Sequence, residues 1–297
     1  MAACRILVTG GAGQIGLELA RLAWPDPVEL HFPTRAELEL NSGTSIAAYF
    51  AGERWDAVIN CAAYTTVDAA EDDVAAAFLA NAQGPAWLAQ ETRKSGIPLI
   101  QISTDYVFAG AFDQPYLETD PVGPTSIYGA SKLAGELAVR LGNPRSVVLR
   151  TAWVLSVHRA NFLKTMLRAG AANPQLRVVA DQIGCPTSAQ DIAAALQVIT
   201  LRLINDPAAP CGTYHFANAG SASWCELART IFALAEPQGG PHPEVIAIAT
   251  TEYPTKARRP ANSCLDTASI QRDFGIIPRP WQEAVGDIVT ELLAQGS

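Results

Sequence analysis

Cys4-Arg-Ile-Leu-Val-Thr9 runs straight into Gly10-Gly-Ala-Gly13-Gln-Ile-Gly16. A short apolar run, the signature of a buried strand, ends in glycines spaced three apart. Beyond them Ile15, Leu19 and Leu22 recur at helical spacing, with Gly16 and Ala20 as small packing positions. Strand, glycine turn and helix follow in one breath. A residue without Cβ permits the tight turn, lets backbone approach a pyrophosphate, and brings the helix close to the strand. The helix N-terminus then offers unpaired N–H groups and a positive dipole end to phosphates. This context, more than the glycines alone, predicts a dinucleotide-binding turn. Gly10, Gly13, Gln14 and Ile15 are its expected cofactor contacts.

Outward from this turn, residues 28–32 and 57–60 read as strands, with a helix over 42–51 between them. Helices are expected over 68–80 and 85–94, a strand over 98–103, a long helix over 128–141 and a strand over 147–150. Strands alternating with helices call for a parallel sheet covered on both faces. The fold class is therefore α/β, a Rossmann-type doubly wound parallel sheet. Past Arg150 the rhythm loosens. Helices near 162–171, 188–204, 223–235 and 281–294 are separated by short strand-like runs (177–180, 214–217, 245–248) and connections rich in proline and glycine. This predicts a dinucleotide-binding domain over 1–150 and, mainly over 151–297, a smaller, partly interleaved C-terminal substrate lobe whose segments return in part to the first sheet.

Composition narrows the function. Hydrophobic residues are 49% and charged residues 17% of the 297, a globular balance that excludes a disordered chain. The net charge of −8 repels a phosphate backbone, so no nucleic acid polymer is expected as partner. The best apolar run, 192–204, is broken by Gln197 and Arg202 and is too short to span a bilayer, so no membrane association is expected. Six cysteines with no CxxC pair read as reduced, mostly buried thiols. The chain enters its strand pattern within 1–9, with no basic and apolar leader, so a cytoplasmic protein is expected.

At the end of the second strand, an acidic residue would favour NADH and a basic one the 2′-phosphate of NADPH. Pro33-Thr34-Arg35 stands there, so Arg35 leans the choice toward NADPH, while Glu37 and Glu39 keep NADH in play. Leu40, next along, is a further candidate contact. Asn60-Cys-Ala62-Ala63-Tyr64-Thr closes the third strand, and its small residues would let backbone approach the cofactor.

Tyr128-Gly-Ala-Ser-Lys132 places a phenol and an ammonium on one helical face, one turn apart. A free tyrosine, with a pKa of about 10, is a poor acid–base group near neutrality. A nearby ammonium favours the phenolate and eases proton exchange. Upstream, Ser103-Thr104-Asp105-Tyr106-Val107-Phe108 follows an apolar strand. A hydroxyl at that strand's carboxyl end points into the ligand crevice and can hydrogen-bond a substrate carbonyl. Adjacent side chains face opposite ways, so one of Ser103 and Thr104 should face the cofactor.

The glycine turn, Ser-Thr-Asp-Tyr-Val-Phe and Tyr-x-x-x-Lys occur in the order and spacing of the extended short-chain dehydrogenase/reductase family. Within it, the chain resembles the dTDP-4-dehydrorhamnose reductases in Gly13-Gln-Ile-Gly16, Ala62-Ala-Tyr-Thr-Thr-Val-Asp-Ala-Ala-Glu71, Tyr128-Gly-Ala-Ser-Lys-Leu-Ala-Gly-Glu136, Arg150-Thr-Ala-Trp153-Val, Asp181-Gln-Ile-Gly-Cys-Pro-Thr187 and Arg259-Pro-Ala-Asn-Ser-Cys-Leu-Asp266. The last three lie outside the generic reductase motifs. The resemblance implies hydride transfer from a nicotinamide to C4 of dTDP-4-dehydro-β-L-rhamnose, a nucleotide-sugar substrate. Tyr128 would protonate the oxygen, Lys132 would tune Tyr128 and bind the nicotinamide ribose, and Thr104 rather than Ser103 would assist at the carbonyl. Trp153 would contact the deoxysugar with Asp105 nearby, and Arg259 would meet the nucleotide diphosphate.

Some members of this family bind magnesium through acidic residues at a dimer interface. Here Gln190 stands where a glutamate is expected, directly before Asp191, so no metal is expected. The four histidines have no ligand-like spacing. A monomer or a homodimer fits equally. Two other readings remain open at this point. One is a different nucleotide-sugar 4-keto reductase or epimerase of the same fold. The other is a regulatory subunit like the beta subunit of methionine adenosyltransferase, which resembles the same reductases.

Overall fold

In the computed structural model, which describes residues 3–295, β1 (Cys4–Thr9) pairs in parallel with β2 (Val28–His31) on one side and β3 (Ala57–Asn60) on the other. Met1 and Ala2, at the head of the strand reading, and Gly296 and Ser297 lie outside the described residues. β4 (Leu99–Thr104) and β5 (Ser146–Thr151) extend the sheet beyond β3, and the strand Gly212–His215 closes it beside β5. The chain thus leaves β1 in one direction to β2 and returns to the other side for β3. The crevice opened by that reversal, at the carboxyl ends of β1 and β3, is where such sheets take ligands.

The alternation of the strands supplies both covered faces. Ile6, Val8, Ile59, Ile100, Ile102 and Leu149 turn toward α1 (Gln14–Arg21) and a helix from far down the chain. Leu7, Val58, Leu99 and Val148 turn the other way. They meet Ile46 of α2 (Gly43–Gly52), Leu88 of α5 (Gly84–Lys94) and Val139 of α6 (Ile127–Gly142). Each such side chain contributes about 1.5–3 kcal/mol by leaving water.

The helix expected over 68–80 is not continuous. α3 (Val67–Ala70) and α4 (Val74–Phe78) are separate, and α4 runs through a π-helical turn, Leu79–Gln83, into α5. The break falls in the acidic stretch Glu71-Asp72-Asp73. Glu71 stays helical (φ −64°, ψ −27°) and its side chain accepts the Ile127 N–H at 2.8 Å, closing the open end of α6, while Asp73 leaves the helical path at φ −111°, ψ 55°.

Beyond Arg150, α7 (Phe162–Ala172), α9 (Trp224–Ala235) and the helix Trp281–Gln295 enclose a second core of Leu163, Leu227, Ile231, Val285, Ile288 and Val289. The strands Gln175–Val179 and Glu244–Ile248 pair in parallel beside it. α8 (Ala189–Asn205) instead crosses back to pack on α1 and the large sheet. The cysteines are free, and only Cys185, Cys225 and Cys264 are buried, fewer than expected; Cys211 is exposed. Among the described residues no helix is long and apolar enough to cross a membrane.

Candidate active site

Gly10 sits at φ +71°, and a Cβ there would lie 2.6 Å from the Ala62 nitrogen. A Cβ on Gly16 would lie 2.5 Å from the Gly10 carbonyl oxygen. Backbone on both sides leaves no room, so the turn after β1 and the end of β3 touch only because these residues lack side chains. α1 opens with no side-chain cap and no acidic residue in its first turn. Its leading N–H groups are left for an anion, and the residues present fit a dinucleotide diphosphate.

One side of this turn opens into a cavity of about 450 Å³ lined by Thr34, Arg35, Glu39, Leu40, Ala62, Ala63 and Tyr64. Arg35 is already engaged there, its Nε 2.8 Å from Glu39 Oε2. Thr34 gives both its N–H and its hydroxyl to Glu37 Oε2, at 2.7 and 2.8 Å. These bonds hold both carboxyls below the usual range, Glu37 through the Thr34 backbone first and Glu39 through Arg35 first.

The other side opens into a cavity of about 580 Å³ that gathers Gly13, Gln14, Ile15, Thr104, Asp105, Tyr128, Lys132 and Trp153. Ser103 and Thr104 do face opposite ways. Ser103 Oγ donates to Glu136 Oε1 at 2.5 Å inside a buried network, in which Arg150 binds both oxygens of Glu136. Thr104 turns to the cavity, where its hydroxyl donates to Asp105 Oδ1 at 2.8 Å. Gly129 lets α6 approach, since a Cβ there would lie 2.2 Å from the Tyr106 carbonyl oxygen. Burial pushes Asp105 up to about 6, against the Ser263 and Thr104 hydroxyls beside it.

Lys132, which the spacing suggested would tune Tyr128, takes a backbone partner here. Its Nζ donates to the Ile102 carbonyl at 2.7 Å. Burial pulls the ammonium down to about 8. Burial also holds the Tyr128 phenol above its ordinary value, with Thr104 offsetting part of the rise. The i to i+4 spacing puts both on one face, but their heads take different partners. A buried polar row continues from Lys132 across the sheet. Gln101 Nε2 donates to the Ile102 carbonyl at 2.8 Å, Asn60 Nδ2 to Gln101 Oε1 at 2.7 Å, and Thr9 Oγ1 to Asn60 Oδ1 at 2.5 Å. The π turn adds Asn81, whose amide brackets the Tyr64 backbone and donates to Ser131 Oγ on α6 at 2.9 Å.

A third cavity, about 640 Å³, adjoins the second along Tyr106, Trp153 and Trp224. Trp153, at φ +43°, stacks on Trp224 with ring centroids 3.5 Å apart. Arg259 lines this cavity, paired with Asp68 at 2.6 Å and donating to the Tyr106 hydroxyl at 3.2 Å, while Arg258 stays exposed. Asp181 faces Thr250, accepting its hydroxyl at 2.6 Å, and Gln182 bridges Thr250 and the Trp224 indole N–H. Asp191 is held by Arg279 and Asn218. Among the described residues no group of three or more His, Cys, Asp or Glu is placed to hold a metal ion.

The sequence-derived residues therefore line one continuous trough, Arg35, Glu39 and Leu40 at one end, Arg259 at the other, and Thr104, Tyr128 and Lys132 between. Sequence reasoning missed Asn60, Asn81, Gln101, Glu136 and Trp224. Only Glu136 carried a signal, as the next helical turn after Tyr128 and Lys132.

A glycine-turn cradle at the sheet's reversal, with a tyrosine, a lysine and a threonine on the wall of the same trough, defines a dinucleotide-dependent reductase of the short-chain dehydrogenase type. A family model described as the RmlD substrate binding domain matches residues 4–294, and the chain belongs to that family. It is 43% identical, over 98% of its length and 99% of the relative's, to a dTDP-4-dehydrorhamnose reductase of Sinorhizobium fredii. A crystal structure of a dTDP-4-dehydrorhamnose reductase from Clostridium acetobutylicum superposes with a TM-score of 0.91 at 35% identity, covering 97% of this chain and 99% of that one. The enzyme of that name from Bacillus anthracis, in complex with NADP, superposes with a TM-score of 0.89 at 34% identity, covering 98% and 100%.

Proposed function

We infer that this protein reduces the C4 keto group of dTDP-4-dehydro-β-L-rhamnose to give dTDP-β-L-rhamnose, with NADPH as cofactor. The observation that carries the reading is the single trough joining the glycine turn to the Trp153–Trp224 stack past Thr104 and Tyr128. Full-length similarity to reductases of that name supports the substrate.

The nicotinamide, when bound, supplies the hydride. Tyr128, held protonated by its dry surroundings, donates its proton to the C4 oxygen as negative charge develops there. Thr104 hydrogen-bonds the same oxygen, and Asp105 fixes the hydroxyl's direction. Lys132, anchored on Ile102, binds the nicotinamide ribose. Gly10, Gly13, Gln14 and Ile15 hold the diphosphate. Arg35, Glu39, Leu40, Ala62, Ala63 and Tyr64 surround the adenosine half. Trp153 packs on the sugar, and Arg259 exchanges part of its pairing with Asp68 for the substrate diphosphate.

The residues through 150 serve the cofactor and those from 151 mainly the sugar nucleotide, in a cytoplasmic monomer or homodimer. Loss of NADPH absorbance on mixing with enzymatically prepared dTDP-4-dehydro-β-L-rhamnose, with NADH in parallel, tests the function. Rapid oxidation is expected. Cofactor that binds but stays reduced would move the assignment to another 4-keto nucleotide sugar.

A further inference from the structure

The segment between Trp153 and α7 leans from the sugar lobe onto the glycine turn. Ser156 Oγ and Asn161 Nδ2 both donate to Gln14 Oε1, at 2.8 and 2.9 Å. Asn161 Nδ2 also donates to the Ser156 carbonyl at 2.7 Å, so the segment is tied internally as well as to α1. At its tip stands Arg159, at φ +55°. A left-handed arginine is unfavourable unless the surroundings hold it, and such positions gather at ligand clamps. Arg159 Nε donates to the Ala12 carbonyl, inside the glycine turn, at 2.6 Å. Its remaining guanidinium donors have no partner among the described residues. The nearest carboxylate on α1, Glu18, is taken up by His158 at 3.2 Å and Arg21 at 3.6 Å. Arg159 lines the same cavity as Gly10 and Gly13. The other cation there, Lys132, is buried on the Ile102 carbonyl, and Arg35 at the adenosine end is neutralised by Glu39.

We propose that Arg159 is a ligand of the cofactor diphosphate, supplied by the sugar lobe across the trough to the N-terminus of α1. This rests on the dinucleotide reading of the trough and adds to it a charged contact outside the glycine motif. A guanidinium with free donors, fixed by one of its nitrogens to the turn that cradles an anion, is a phosphate-binding arrangement. Because the same segment begins at Trp153, cofactor binding also steadies the wall on which the sugar packs.

The test is Arg159→Gly, which removes the cation and suits the left-handed backbone. NADPH and NADH are titrated against both proteins by the cofactor's fluorescence, without sugar, at two salt concentrations. The variant should melt no lower than the parent. Its Kd should rise for both cofactors by the same factor, roughly three- to tenfold for one exposed charge-assisted contact, with a shallower salt dependence. Unchanged affinity would overturn the proposal, and so would weakening of NADPH alone, which would place Arg159 on the 2′-phosphate. Failure of the parent protein to bind either cofactor would instead sink the dinucleotide reading itself.

Discussion

The two ends of the trough are made in opposite ways. The cofactor end is shaped by what is missing: Gly10 and Gly16 bring backbone to within 2.6 and 2.5 Å of where a Cβ would sit, and the small Ala62 and Ala63 complete the wall. The sugar-nucleotide end is shaped by bulk, with Trp153 and Phe162, Trp224 and Arg259 drawn from three separate stretches of chain. A site of backbone is written in one short segment, because a turn and a helix start are local. A site of large side chains depends on packing between elements that the sequence does not pair. The first should be rigid and intolerant, the second adjustable.

The sharpest probe lies where the ends meet. Tyr128→Phe should cut turnover by roughly 10²–10⁴-fold and leave NADPH affinity nearly intact, as single-turnover kinetics and cofactor titration would show. Near-normal turnover would remove Tyr128 from the chemistry. Next, Gly10→Ala should cost about 2–4 kcal/mol in denaturant unfolding and abolish tight cofactor binding, because the strained φ and the Ala62 backbone leave no relaxation path. Retained affinity would show slack in the turn and erase the contrast. At the other end, Trp224→Leu should raise KM for the sugar nucleotide about tenfold, near the worth of one aromatic contact, with cofactor Kd unmoved. An equal loss for both ligands would mean the two ends are not separable.

The smallest effect is on stability against pH. Burial, with Arg150 beside it, holds His215 neutral in the fold, down to about 3 from 6.5. The unfolded chain therefore takes up a proton first, and His215 withdraws stability as pH falls from 6.5 toward 3. Asp105 has the opposite sign: raised from 3.8 to about 6, it favours the fold below 3.8 and loses that contribution as pH rises through 6. Urea unfolding between pH 4 and 6 should thus fall more steeply with acid in Asp105→Asn than in the parent, and less steeply in His215→Gln. Parallel curves for all three would contradict both assignments.

Legibility followed the same division. Strand, glycine turn and helix over residues 4–21, and the alternation through Arg150, could be read because hydrophobic period and glycine spacing are local. The break at Asp73 could not, since neither glycine nor proline marks it and the apolar period runs on across it. Alternation alone left Ser103 and Thr104 open; the family resemblance pointed to Thr104, and the bond from Ser103 to Glu136 on α6 supplies the physical reason. Tyr128 and Lys132 share a helical face by spacing, yet the Ile102 carbonyl claims the ammonium.

By itself, then, the sequence determined the doubly wound sheet, the glycine turn that follows its first strand and the shared helical face of Tyr128 and Lys132, all consequences of short-range periodicity and of glycine's missing Cβ. Tertiary structure alone decided the Trp153–Trp224 stack, the Asn60–Gln101–Lys132 row and the reach of Arg159 to Ala12. Each joins residues distant in the chain, and contacts of that kind exist only once the cores have packed.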